Sequence, residues 1–145
     1  YTTPTSRKSS KTSSTPSLRS VMHKLKKAKF INPSIYPVYI GYVNTEKAWK
    51  RLMKHLKIPN PPEFAEYGRC DQFESDSGGL AIVISCNHKA FKHEPKRSAY
   101  SMLAHEAKHA HDAIMDHIKE FKRDGECSAY TIDWLVREGA KAFKL

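Results

Sequence analysis

No stretch of this sequence approaches the roughly 20 consecutive apolar residues that a membrane-crossing helix requires, so a soluble chain is expected. Cysteine is scarce: Cys70, Cys86 and Cys127 are three in number and show no CxxC spacing. An odd, widely spaced set argues against a disulfide scaffold and for a reducing compartment or incidental buried thiols, and no cysteine nucleophile is expected. Residues 1–16 hold no aliphatic side chain, and residues 1–30 hold no acid. The first absence removes the apolar surface that would offset the entropy of ordering. The second leaves Arg7, Lys8, Lys11, Arg19, Lys24, Lys26, Lys27 and Lys29 unopposed, so most of the net charge of +10 belongs to residues 1–30.

The chain of 145 residues is long enough for one ordinary domain and too short for two. The expected organisation is a basic arm over 1–16, disordered alone or held by a partner, followed by a single domain over 17–145. Arg7, Lys8, Lys11 and Arg19 are the candidate partner-binding residues. Such an arm docks on an acidic protein surface or neutralises nucleic-acid phosphates, or is simply a solvated linker. The chain opens on Tyr1 rather than Met, which leaves room for a removed leader.

Beyond the arm, Ser17 caps a short predicted helix in which Leu18, Val21, Met22 and Leu25 recur at helical spacing. The β-branched and aromatic run Ile35–Val43 predicts a strand, with its proline at an edge or start. Asn44 or Thr45 caps the next helix, whose apolar stripe is Ala48, Trp49, Leu52, Met53 and Leu56. The run IPNPP at 58–62 stops it. Phe64–Glu74 predicts a second strand, Ser75–Gly79 a turn, and Leu80–Ser85 the strongest strand of the chain. Two helices follow, about 97–118 and about 124–142, separated at Asp124-Gly125. The fold class expected is α+β: a small mixed sheet packed against the last two helices.

The first of those helices carries SMLAHEAKHAHD over residues 101–112. Because 3.6 residues make a turn, His105 and His109 stand on one helix face, where two imidazoles can meet one Zn²⁺. Glu106 lies about 100° round the helix. That puts its carboxylate beside the metal rather than on it, placed to take a proton from the attacking water. Random placement of this chain's histidines and glutamates would yield HExxH in roughly 3% of such compositions. The motif is therefore weighed with its setting: an apolar face of Met102, Leu103, Ala107, Ala110 and Ile114, and a strong strand before it.

A catalytic zinc takes three protein ligands and keeps one position open. Glu126, in the first turn of the last helix, is the expected third ligand, with Glu120 and Asp124 as rivals. Asp112 shares the ligand face and is expected to orient an imidazole from outside the coordination shell, or to be solvated. His111 and His117 point away from that face and read as surface residues.

Taken together, HEAKHA, a turn, and GECSAYTIDWL resemble the gluzincin branch of the zincin metallopeptidases, and in particular small phage-encoded zincin-like proteins. The resemblance covers about residues 80–136. It implies His105, His109 and Glu126 as zinc ligands and Glu106 as general base and later proton donor. The acid that such enzymes carry four residues beyond the glutamate is replaced here by Tyr130. That tyrosine shares a face with Glu126 and is expected either to polarise the substrate carbonyl or to be a buried structural residue. The resemblance also implies that the strand before the motif, Leu80–Ser85, pairs with an extended peptide.

The function expected is thus a zinc-dependent hydrolase of peptide or peptidoglycan amide bonds, a metallopeptidase, soluble and intracellular or virion-associated. The alternative is a structural or assembly protein of a virion that keeps a zincin-like fold and docks through its basic arm. A nucleic-acid-associated protease ranks third.

Overall fold

The computed structural model describes residues 29–31, 38–119 and 125–145. The arm with Arg7, Lys8, Lys11 and Arg19, the helix expected from Ser17, the start of the strand at Ile35, and Glu120 and Asp124 all lie outside the described residues.

The expected α+β class is what the structure has. Among the described residues four strands, β1 (Lys29–Ile31), β2 (Val38–Val43), β3 (Gly68–Glu74) and β4 (Leu80–Cys86), form one sheet in the order β1-β2-β4-β3. β2 and β4 are parallel, and the outer strands run antiparallel to their neighbours. Helix α1 (Glu46–Leu56) lies in the crossover from β2 towards β4; α2 (Lys96–His117) and α3 (Glu126–Phe143) follow the sheet.

Strand periodicity sorts the core into two layers. Val38, Ile40 and Tyr42 with Leu80, Ile82 and Ile84 face α2 and α3, meeting Leu103, Ala107, Ala110, Ile114 and Leu135. Val43 and Val83 face the other way, onto Ala48, Trp49, Leu52 and Met53 of α1. α1 forms as its stripe predicts, and of the two candidate caps it is Thr45 that works, its Oγ1 accepting from the Ala48 N–H at 3.2 Å. Every residue of β4 is buried. A strand covered on both faces needs no polar alternation, which is why it reads as an unbroken apolar run.

Two elements differ from expectation. β1 was not foreseen, being only three residues long. β3 begins at Gly68 rather than Phe64. The carbonyls just before it are taken by side chains instead of a ladder: Trp49 Nε1 donates to Pro62 O at 2.9 Å, Arg69 Nη2 to Glu63 O at 2.5 Å, and Asn87 Nδ2 to Ala65 O and Glu66 O at 3.3 and 3.0 Å. Such bonds satisfy the backbone without a strand.

α3 is held by a buried bond in which the Tyr42 hydroxyl donates to Leu135 O at 2.8 Å. The two elements meet at Gly139, where a Cβ would stand 2.6 Å from Leu103 Cδ1 and 2.9 Å from Tyr42 Cε1. Leu103 is fully buried and the Tyr42 ring is anchored by its hydroxyl, so neither yields easily. Overpacking of about 1–3 kcal/mol exceeds the roughly 1 kcal/mol that alanine gains over glycine in a helix. Gly139→Ala is therefore expected to lower stability by about 1 kcal/mol, read by urea denaturation.

Candidate functional site

α2 begins at Lys96 after Pro95 and runs unbroken through the HExxH motif. Its buried side carries Leu103, Ala107, Ala110 and Ile114, and this seats the helix on the sheet. His105 and His109 are consequently exposed on the opposite side. Their Nε2 atoms lie 3.1 Å apart, with the rings edge to face and centroids 4.7 Å apart. Two nitrogens bound to one tetrahedral zinc at about 2.0 Å stand about 3.3 Å apart, so the pair is already close to the separation a shared metal requires.

Glu106 is buried, with 8% of its surface exposed, on the flank of α2 turned to β3. There it faces Cys70, whose thiol is pushed up to about 12 by burial first and by the Glu106 and Asp71 charges next. His105 and Glu106 line one open cleft of about 780 Å³ with Tyr67, Gly68, Arg97, Ser98, Ser101 and Met102. Met102 lies directly over Gly68, where a Cβ would stand 2.1 Å from its Sδ. The absent side chain is what lets α2 approach the start of β3.

Burial also pushes the Cys86 thiol up, to about 11, whereas Cys127 is exposed, and no disulfide joins the three. A raised thiol pKa leaves little thiolate at neutral pH, and thiolate is the nucleophile. At pH 8 in the native protein Cys127 is expected to be alkylated by iodoacetamide, with Cys70 and Cys86 reacting only after denaturation; peptide mass mapping decides.

The other expected site residues lie elsewhere. Asp112 does not orient His105 or His109. It accepts from Lys108 Nζ at 2.6 and 2.7 Å and sits 3.2 Å from His111 Nδ1. The Lys108 hydrogen bond, supplemented by His111, holds its carboxyl below the usual range. His111, read as a surface residue, is fully buried, with Nε2 3.0 Å from Ser128 Oγ. Its place in the apolar row was the available signal: it stands four residues after Ala107 and three before Ile114.

That buried contact has a consequence for Glu126. On α3 it is Ser128 that faces α2, and Glu126 lies about 200° round the helix from it, exposed. Among the described residues no group of three His, Cys, Asp or Glu side chains is placed to hold one metal ion. The structure thus pairs His105 with His109 and sets Glu106 beside His105 in the cleft, and it does not bring Glu126 to them. Tyr130, one turn after Glu126, is 69% exposed, so it is not the buried structural tyrosine of one expectation.

No family model, curated protein or solved structure matches this chain. The site therefore rests on its own chemistry. The strand expected to pair with a peptide, β4, is flanked by β2 and β3, so both its edges are occupied; among the described residues the free edge beside α2 belongs to β3. A second groove of about 680 Å³, between α1 and the proline-rich turn, includes Lys50, Lys54 and Lys57 and no histidine. It lies across the sheet from α2. Among the described residues no helix is long and apolar enough to cross a membrane.

Proposed function

We propose that the chain is a zinc-dependent hydrolase of peptide or peptidoglycan amide bonds, with His105 and His109 as ligands and Glu106 as the proton-transfer residue. The observation that carries this reading is the 3.1 Å approach of the two Nε2 atoms on a helix whose next flank holds Glu106, which lines one cleft with His105. Zn²⁺ bound there would supply an acidified water and a Lewis-acid contact for the scissile carbonyl. Glu106 takes a proton from the attacking water and returns it to the departing amine. Its burial against β3 limits the directions its carboxylate can take, and the cleft admits an extended substrate along the free edge of β3, where main-chain hydrogen bonds would hold it.

The resemblance assigns the third ligand to Glu126, while α3 as described turns Ser128 rather than Glu126 towards α2. Glu126→Ala is therefore the discriminating variant. Elemental analysis of the purified full chain is expected to find about one zinc per protein, lost in His105→Ala and His109→Ala. Loss in Glu126→Ala as well completes a three-ligand hydrolytic centre; retention removes Glu126 from it. A chain that takes up no zinc with its histidines intact sinks the hydrolase reading. The outward-turned Glu126 favours the second reading, a structural or assembly protein of the same fold, and that zinc-free outcome would leave it standing.

A further inference from the structure

The cleft holds a cation that the hydrolytic reading leaves without a task. Arg97 lies in the first turn of α2, exposed, on the row Arg97, Ser101, His105, whose members stand four residues apart and so on one helix face. Along the helix axis it is about 12 Å from His105. No carboxylate among the described residues pairs with it, and α2 has no acid in its first turn. Glu94, the nearest acid in the chain, accepts from Ser98 Oγ at 3.5 Å. Arg69, also close in sequence to the cleft, is by contrast fully engaged: its guanidinium donates to both oxygens of Asp71, to Glu63 O, and lies 5.6 Å from the Trp49 ring centre.

Two placements give the direction of the cleft. Met102 sits over Gly68, and further along both elements Glu106 lies near enough to Cys70 for its charge to act on the thiol, so α2 and β3 advance in the same sense. A strand-like ligand on the free edge of β3 therefore passes Tyr67 and Arg97 at one end and Glu106 at the other. An extended peptide rises about 3.3 Å per residue, which sets a group at Arg97 three or four residues from a group at His105. A guanidinium is always charged and meets a carboxylate through two parallel N–H···O bonds, a match no neutral side chain offers.

The geometry points to Arg97 as the specificity-determining residue of the cleft, selecting a peptide that carries a carboxylate three or four residues from the bond presented to Glu106. This rests on the hydrolytic reading only for the position of that bond. The carboxylate belongs to an acidic side chain or to the peptide's own C-terminus.

The test is a binding measurement on the full chain carrying Glu106→Gln, so that turnover does not consume the probe. The probes are an alanine-rich eight-residue peptide with one glutamate and its glutamine counterpart, each carrying a neutral BODIPY label and a free or an amidated C-terminus, followed by fluorescence anisotropy. Arg97→Ala is expected to weaken binding of a carboxylate-bearing probe about tenfold and to leave the amidated glutamine probe unaltered, with Arg97→Lys between the two. Loss that depends on the glutamate assigns a side-chain carboxylate; loss that depends on the free terminus assigns the chain end. Unchanged binding of every probe in Arg97→Ala, or an equal loss on the uncharged one, overturns the inference. Peptide cleavage is assayed separately with Glu106 in place. A chain that binds carboxylates through Arg97 and never cleaves keeps this inference and ends the hydrolase reading.

Discussion

Glu106→Gln is expected to lower peptide hydrolysis by about 10²–10⁴-fold, the contribution typical of a positioned general base, while zinc content stays that of the parent chain. The substitution keeps the shape of the side chain and removes its capacity to take a proton, so the two readouts separate chemistry from metal binding. The environment makes the swap informative. Glu106 is buried against β3, whereas His105 and His109 stand exposed above it. A loss of zinc in Glu106→Gln would mean that the carboxylate is a ligand rather than a base. Hydrolysis at the parent rate would remove Glu106 from the mechanism. Cys70 supplies a check that needs no substrate: the Glu106 charge is one of the causes raising its thiol, after burial. Neutralising that charge is expected to bring the Cys70 pKa down from about 12, seen as faster alkylation of Cys70 at high pH.

His111→Ala is expected to lower stability by about 3 kcal/mol, combining a cavity with an orphaned polar partner. His111 is fully buried between α2 and α3, and Ser128, whose hydroxyl it meets, is itself only 7% exposed. Truncation leaves that hydroxyl without its partner in a space water does not readily reach. A loss of this size corresponds to a fall in Tm of roughly 10 °C for a domain near this size. His117→Ala, at the partly exposed end of the same helix, serves as control and is expected to change stability by less than about 1 kcal/mol. Equal losses in the two variants would show that the buried bridge contributes nothing special. Thermal melts followed by circular dichroism decide.

What the sequence revealed and what it hid follow from the range of the forces involved. Helical period placed α1 and α2 within a residue or two, and the HExxH spacing put His105 and His109 on one face, because those relations are local. The identity of β4 as a buried strand was visible in its unbroken apolar run. Its neighbours were not visible, since strand order is decided by pairing between distant segments, and so the expectation of an open edge on β4 fails: both its edges are paired. The polarity of His111 points to the surface, whereas its spacing from Ala107 and Ile114 marks the core. Glu126 was assigned by its distance along the chain. Which residue of the first turn of α3 faces α2 depends on the rotation of that helix about its axis, and Ser128 and Gly139 fix that rotation through contacts that no spacing rule contains.

The bond from Tyr42 to Leu135 joins residues 93 apart in the chain, whereas the cleft is built wholly from one continuous stretch, Tyr67 to Glu106. Closing a long loop costs more entropy than pairing neighbours, and contacts between distant segments form more slowly. The hairpin of β3 and β4 with α2 is thus the part of the molecule that assembles from near neighbours. The Tyr42–Leu135 bond is by contrast a long-range contact, and α3 packs on α2 through Leu103 and His111, off the face that carries His105 and His109.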